Sequence, residues 1–313
     1  MNNSYSITGL TFTNGAGSFI IGTSSSTLTI TANGVTNNSA SAETLNVPVL
    51  LTNAAQTLSA ASGSLILSQT VNNGGYLLTV SDGGFNSAVN GAISGAGGLT
   101  KTGSGTLTLG GTNIYTGTTT INGGTVTVNG TGVITNTVNP VIVGNVAGNA
   151  ILNIAGGSVS ANDAVNPAVA LGNVANASGF LFMSSGSLEC GAGEFHIGQV
   201  TNAYGAFDLS GGTVTIGDIN TGDAYFVVGG ASGASASQGV FNMSGGTLND
   251  NAQEVGLGGI ANSIGVLNLS GGALNGSKGI HVGERGTGIL NVSGSAVLNL
   301  TGSTLQFLSL IHI

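Results

Sequence analysis

The sequence predicts an all-β protein: a parallel β-helix, or solenoid, with roughly three short strands in each turn. Two observations carry this prediction. One short sequence motif of alternating apolar and polar residues, here called the phrase, occurs six times between residues 152 and 297. A short strand pattern that ends in glycine precedes each copy. Repeats of this length are typical of solenoids, because a single unit cannot bury its apolar face alone.

The six copies of the phrase start 29, 26, 34, 26 and 23 residues apart. They read LNIAGGSV from Leu152, LFMSSGSL from Leu181, FDLSGGTV from Phe207, FNMSGGTL from Phe241, LNLSGGAL from Leu267 and LNVSGSAV from Leu290. Large apolar residues alternate with a polar residue, as in a strand with one buried face. The following glycines allow a bend, and a second short strand begins after them.

A companion strand ends in glycine before each copy: VIVG, VALG, FHIG, FVVG, VGLG and IHVG. Two strands from the phrase and one companion strand give three per turn, which favours a parallel β-helix over a sandwich or a propeller. We expect about 11–14 turns and a length of about 55–65 Å at the spacing of stacked strands. The expected inward pairs are Leu152/Ile154, Leu181/Met183, Phe207/Leu209, Phe241/Met243, Leu267/Leu269 and Leu290/Val292.

Composition excludes several classes of protein. The 313 residues include 57 glycines, 4% charged residues and no tryptophan, which disfavours long solvated helices. The net charge is −8 with only 3 Lys and Arg, so a nucleic-acid partner is excluded. No apolar run reaches the length of a membrane helix, so we expect no membrane insertion by this segment. The single cysteine, Cys190, allows no internal disulfide.

Residues 97–130 carry the most specific motif. They read GGLTKTGSGTLTLGGTNIYTGTTTINGGTVTVNG, with Asn113, Tyr115-Thr116-Gly117, Thr120 and Gly123-Gly124-Thr125-Val126 at fixed places after GLTKTGSGTLTL. This segment resembles the autotransporter-associated β-strand repeat found in the passenger domains of type V secreted proteins and in related giant bacterial surface proteins. The resemblance implies a right-handed β-helical stalk, displayed on or released outside a bacterial envelope with an outer membrane.

The resemblance and the repeats divide the chain into four segments. Residues 1–96 are read as irregular β-helix turns, 97–130 as the autotransporter-associated repeat, 131–307 as regular turns, and 308–313 as a non-native scar that resembles a translated sequencing adapter. The N-terminus lacks the basic start and apolar core of a signal peptide. We therefore expect a fragment, with a translocator β-barrel encoded elsewhere in the gene.

The histidines and the outward asparagines have structural interpretations. His196 and His281 occupy the middle of FHIG and IHVG, so both are expected to point outward, exposed and about 14 Å apart, too far to share a metal. His312 falls in the suspected scar. The second positions of the phrase predict an asparagine ladder with one interruption; they are Asn153, Phe182, Asp208, Asn242, Asn268 and Asn291.

Carboxylates are candidate catalytic groups, because some parallel β-helix proteins cleave polysaccharides. Those that fall within one short stretch are Glu189, Glu194, Asp208, Asp218 and Asp223. Acid–base catalysis would need two of them about 5–9.5 Å apart across a groove. Asp82-Gly83-Gly84 and the pair Asp218/Asp223 offer oxygen ligands for calcium, but the calcium-binding nonapeptide is absent. Lys101 lies among glycines but is not part of the Gly-Lys-Ser/Thr arrangement of a phosphate-binding loop.

The sequence therefore predicts no catalytic residue, no cofactor and no metal site. The favoured function is a non-enzymatic extracellular stalk or adhesin-like passenger whose partners are host or environmental glycans or proteins. The alternatives are a polysaccharide-degrading enzyme, or a carbohydrate-binding module with loops such as 217–224 and 230–239. An enzyme should present a carboxylate cluster in a groove, whereas a stalk should have uniform, uncharged faces.

Overall fold

The computed structural model describes residues 4–23, 25–136, 138–162, 167–217, 225–230, 236–251, 254–276, 278–301 and 304–308. These residues form β-strands and turns, with no helix among them. The strands, in chain order, are β1 (Tyr5–Ile7), β2 (Leu10–Phe12), β3 (Ile20–Ile21), β4 (Leu28–Ile30), β5 (Val35–Asn37), β6 (Glu43–Leu45), β7 (Val49–Leu51), β8 (Gln56–Ala60), β9 (Leu65–Leu67), β10 (Val71–Asn72), β11 (Leu78–Asp82), β12 (Ser87–Val89), β13 (Ile93–Ser94), β14 (Leu99–Thr102), β15 (Thr106–Leu109), β16 (Thr112–Asn113), β17 (Thr119–Ile121), β18 (Gly124–Asn129), β19 (Val133–Asn136), β20 (Val141–Val143), β21 (Gly148–Ala161), β22 (Val169–Leu171), β23 (Ala177–Cys190), β24 (Phe195–Ile197), β25 (Tyr204–Leu209), β26 (Thr213–Ile216), β27 (Phe226–Val228), β28 (Gln238–Met243), β29 (Thr247–Asp250), β30 (Val255–Leu257), β31 (Ile264–Leu269), β32 (Ala273–Gly276), β33 (Gly279–Val282), β34 (Thr287–Val292), β35 (Val297–Leu300) and β36 (Thr304–Phe307).

The strands stack in parallel on three faces of a solenoid. The first face is a 13-stranded sheet, here called sheet 1, which runs β2-β5-β8-β11-β14-β17-β20-β22-β24-β27-β30-β33-β36. The second, sheet 2, runs from β3 through β21 and β23 to β34. The third, sheet 3, begins with the five strands β1-β4-β7-β10-β13 and continues through β16 and β19 to β35. The chain passes sheet 1 13 times, within the predicted 11–14 turns. The parallel β-helix is confirmed.

The six repeated phrases stack in the predicted register. Phe207 pairs with Phe241, which pairs with Leu267, which pairs with Leu290. The inward residues of the first five phrases are all buried, as predicted. The sixth phrase corrects the prediction, since Leu290 is only half-buried and Val292 is 50% exposed. Among the described residues, another turn packs against only one side of this strand, so its inward side chains have fewer neighbours.

Four phenylalanines fill the core beneath β24 to β28. The ring centroids of Phe195 lie 5.8 Å from Phe207 and 5.3 Å from Phe226. Phe241 completes the group at 4.9 Å from Phe207 and 5.5 Å from Phe226. All four side chains are fully buried. Such aromatic contacts stabilise a core beyond simple burial, so the backbone of β24 and β27 rests on a rigid support.

Glycine closes the companion strands because the next turn passes very close to it. Gly229, after β27, has φ +78°, and a Cβ there would lie 2.1 Å from the carbonyl oxygen of Ile264. Only glycine tolerates both the left-handed backbone and this approach. The glycines seen in the sequence thus mark the corner where each turn leaves sheet 1.

The predicted asparagine ladder is present on the outer surface of sheet 2. Asn242 donates to Asp208 at 2.6 Å, Asn268 donates to Asn242 at 2.8 Å, and Asn291 donates to Asn268 at 2.7 Å. Phe182 interrupts the column, as predicted, and is 38% exposed. Sheet 3 carries a second ladder, which the sequence analysis missed, through Asn249, Asn275 and Asn299 at 2.9 and 2.8 Å.

Replacement of Asn268 by alanine should lower the free energy of unfolding by about 1–2 kcal/mol, because two ladder hydrogen bonds of roughly 1 kcal/mol each are lost. The matched control is Asn153→Ala, at a position whose neighbour in the column is Phe182. That change should cost less than about 0.5 kcal/mol. Chemical denaturation of both variants measures the difference, and equal losses would argue against a stabilising ladder.

Polar side chains of residues 97–130 are buried and link successive turns. Asn113 accepts from the backbone N–H of Ile93 at 2.9 Å and donates to the carbonyl of Val133 at 2.8 Å. The hydroxyl groups of Tyr115 and Thr119 lie 2.7 Å apart in the core. Asn113 therefore satisfies buried backbone groups of both neighbouring turns, whereas Tyr115 and Thr119 pair within one turn.

Lys101 forms a buried ion pair with Asp82. Its Nζ lies 3.5 Å from Oδ2 of Asp82, and both side chains have 0% exposure. Ser87 donates to the other oxygen of Asp82 at 2.6 Å. Burial raises the pKa of Asp82, and Ser87 and Lys101 oppose that shift. Burial likewise lowers the pKa of Lys101 despite the attraction of Asp82. The carboxylate of Asp82 thus faces the core and pairs with Lys101, and it is not available at the surface as a calcium ligand.

Candidate functional site

A groove on the outer surface of sheet 1 is the strongest candidate site among the described residues. It encloses a cavity of about 340 Å³ beside strands β24, β27, β30 and β33. The lining residues are Glu194, His196, Tyr225, Val227, Gly230, Glu254, Gly256, Gly259, Ile260, Glu284 and Arg285. Two of the strands behind this groove, β24 and β27, carry Phe195 and Phe226 of the buried phenylalanine group.

The floor of the groove is formed by the middle residues of stacked companion strands, whose side chains point outward and lie above one another in a column. His196 pairs in register with Val227, then Gly256, then His281. The flanking residues of each strand point into the core, so the middle residue must point out. Gly256 has no side chain, and a Cβ there would meet only Glu284 at 3.8 Å. Space above Gly256 is therefore open.

Two further columns form the walls. Glu194, Tyr225 and Glu254 each stand directly before a strand, and their carbonyls accept from the turn before them. On the other side, Gly259 and Glu284 follow the glycines that close β30 and β33. Stacking thus brings together side chains that are separated by up to 91 positions in the sequence, from Glu194 to Arg285.

His196, which lines the groove, and His281, in the same outward column, are each paired with a glutamate. Nε2 of His196 lies 2.5 Å from Oε2 of Glu194, and Nδ1 of His281 lies 2.9 Å from Oε2 of Glu254. The prediction that both histidines are exposed is wrong. His196 is 4% exposed and the His281 side chain is 19% exposed, because both lie beside the walls of the groove and not on a bare sheet. Their outward direction and their separation of three turns are confirmed.

Glu254, His281 and Glu284 form one compact cluster. Each offers one potential ligand atom, and these atoms all lie within 4.8 Å of one another. All three residues are half-buried. Arg285 is exposed at the edge of the same groove. Three carboxylates against one guanidinium make the groove acidic, so it should attract cations and neutral polar groups more than anions.

The three carboxylates nominated from the sequence that the structure describes do not converge. Glu194 lines the groove, whereas Glu189 lies on sheet 3 and accepts from Ser160 at 3.2 Å. Asp208 ends the asparagine ladder on sheet 2. Asp218 and Asp223 lie outside the described residues, as does most of the loops 217–224 and 230–239.

Sequence reasoning missed Glu254, Glu284 and Arg285. An alignment of the companion strands would have found the first two. Glu254 precedes VGLG as Glu194 precedes FHIG, and Glu284 follows the glycine that ends IHVG. Residues that hold the same position relative to stacked companion strands lie in one column of the solenoid. This shared position is the sequence signal that was overlooked.

An aromatic group lies on the outer surface of sheet 2. The rings of Phe180 and Phe182 lie 6.5 Å apart with an interplanar angle of 3°, and Tyr204 lies 5.8 Å from Phe180. This group is on a different face from the groove.

Comparison with known proteins gives one family. Residues 99–128 match the family model of the passenger-associated-transport-repeat. This segment is an autotransporter passenger repeat in a β-solenoid. It spans β14 to β18 and includes Lys101 and Asn113, whose buried contacts link neighbouring turns, and Tyr115, which is buried beside Thr119. The resemblance noted in residues 97–130 is therefore confirmed.

No curated protein and no solved structure matches the chain. The part of the chain that the structure describes has no helix long and apolar enough to cross a membrane.

Proposed function

We propose that the chain is a non-enzymatic segment of a bacterial passenger that is secreted or displayed at the cell surface, where it acts as a stalk or adhesin. The observation that carries this proposal is the position of the passenger repeat, residues 99–128, within a solenoid that continues on both sides of it. A stack of turns makes a long rigid spacer, since each turn contacts only its neighbours. The ladders of sheets 2 and 3, which consist of asparagines apart from Asp208, suit that role.

The partners proposed for the segment are host or environmental glycans or proteins. The acidic groove and the aromatic group Phe180, Phe182 and Tyr204 are the two places that could contact them. Pockets with a few convergent polar groups and exposed aromatic rings are typical of ligand sites.

The passenger proposal is tested by the sequence of the complete gene on both sides of this segment. We expect a secretion signal upstream and a translocator β-barrel or another surface anchor downstream. A gene that encodes neither would contradict the proposal.

A second candidate function is polysaccharide cleavage, and the acidic groove favours it. Glu194 and Glu254 stand two turns apart, or about 10 Å at the spacing of stacked strands, near the upper limit for an inverting pair of carboxylates. A cleft with two carboxylates is what the enzyme alternative requires.

Incubation of the purified chain with a panel of polysaccharides separates the two functions, with new reducing ends or unsaturated products as the readout. The stalk or adhesin proposal expects no products. Products that disappear in Glu254→Gln but persist in the control Glu189→Gln, on another face, would favour the enzyme and contradict the non-enzymatic proposal.

A further inference from the structure

Two carboxylates that line the groove and a neighbouring histidine have an arrangement that suits a metal ion. Glu254 stands before β30, His281 lies in β33, and Glu284 follows β33. Their potential ligand atoms lie within 4.8 Å of one another. Ligands about 2.0–2.2 Å from a common ion lie about 3–3.5 Å apart, so small side-chain rotations would complete the site.

The backbone holds these groups in place. Val255 pairs with Ile280, and Gly256 pairs with His281, so Glu254 and His281 lie on adjacent turns in fixed register. Nδ1 of His281 and Oε2 of Glu254 are already 2.9 Å apart. A cation between them would take the place of the shared proton, because metal ligands bind in their deprotonated forms.

The groove lined by Glu254 and Glu284 has a second unusual feature at its other end, three turns from His281. His196 lines the groove there and is 4% exposed, and its Nδ1 has no hydrogen-bond partner among the described residues. A buried polar atom without a partner calls for an explanation, such as a ligand or a water molecule in the site. Gly256, which pairs in register with His281, has no side chain, so the floor beside the cluster leaves room for a hydrated ion or a ligand bound to it.

We propose that Glu254, His281 and Glu284 bind a divalent transition-metal ion of the Zn²⁺ class. One imidazole and two carboxylates form a mixed nitrogen and oxygen set, which suits Zn²⁺ and its neighbours in the first row. Ca²⁺ prefers oxygen ligands alone and in larger number. With three protein ligands the ion keeps positions for water or ligand atoms, which face the cavity. The metal site goes beyond the proposed function and does not depend on it, and it departs from the sequence-based prediction of no metal site.

Titration of the whole, tag-free chain with Zn²⁺ by calorimetry tests the site, and Co²⁺ absorption reports its coordination. We expect one ion per chain and a Co²⁺ spectrum with a nitrogen ligand. Glu254→Gln, His281→Gln and Glu284→Gln should each weaken Zn²⁺ binding about tenfold or more. Thermal melts without metal show whether each variant is folded.

Two control variants locate the ion. Glu189→Gln removes a carboxylate from sheet 3, and His196→Gln removes the histidine that lines the groove. Both should leave Zn²⁺ affinity within about twofold, as neither side chain belongs to the cluster. Absence of Zn²⁺ binding, an unchanged affinity in folded His281→Gln, or equal affinity for Ca²⁺ and Zn²⁺ would each overturn the proposal. Equal affinity would indicate general attraction to an acidic surface.

Discussion

Lys101→Met is expected to lower the free energy of unfolding by about 3–5 kcal/mol, because it leaves the carboxylate of Asp82 buried without its cation. The lysine also donates to the carbonyl of Thr102 at 2.6 Å, and that carbonyl would lose its donor. Chemical denaturation of the purified chain measures the loss. Since Lys101 belongs to the passenger repeat, the result would explain why a charged residue occurs inside a solenoid of low charge.

The double variant Asp82→Asn, Lys101→Met is the control for charge. It removes both charges and keeps an oxygen that can accept from Ser87. The double variant should recover most of the stability, since replacing a whole buried pair is often neutral. A double variant as unstable as Lys101→Met would show that lost packing, and not the unpaired charge, causes the effect.

The penalty of Lys101→Met should depend on pH. Burial raises the pKa of Asp82 in the folded state, so the folded chain holds this proton more tightly than the unfolded chain. Stability linked to such a group is present at acid pH and is lost as the pH rises through the raised pKa. Removal of Lys101 takes away an opposing attraction, so the destabilisation should be larger near pH 7 than near pH 4.5. A penalty independent of pH would contradict this account.

Leu267→Asp is expected to cost more than about 5 kcal/mol, because it combines a lost core side chain with an unpaired buried charge. Leu267 is fully buried between Phe241 and Leu290. Turns of a solenoid contact only their neighbours, so the damage should be greatest around β28 to β34. Circular dichroism gives the loss of strand structure, and hydrogen exchange with peptide resolution locates it.

Leu267→Met is the control for size, with an expected cost below about 1.5 kcal/mol. If residue 267 pointed outward, the aspartate of Leu267→Asp would be exposed to water and would cost little stability. A soluble Leu267→Asp protein with unchanged circular dichroism would therefore contradict the register of sheet 2.

Stacking of identical phrases made the fold predictable. Phe207, Phe241 and Leu267 occupy one place in their phrases, and a period-2 pattern leaves only one face for them to bury. The asparagine ladder followed from the same register. The last phrase was predicted less well, because burial of Val292 depends on neighbours that the phrase itself does not specify.

The groove could not be read from local patterns. Glu194, Glu254 and Glu284 lie in three different turns, and each alone is an isolated charge beside a strand. Their convergence depends on how many residues each loop takes to return to sheet 1, which hydrophobic periodicity does not encode. The burial of Asp82 was missed for a similar reason, as its partner Lys101 lies in the next turn.

The most direct test of the passenger assignment is the location of the protein in the bacterium that encodes it. Antibodies raised against the purified chain should label intact cells or detect the protein in the culture medium, and external protease should remove the label from intact cells. Detection only after lysis, with full protection from external protease, would contradict the account.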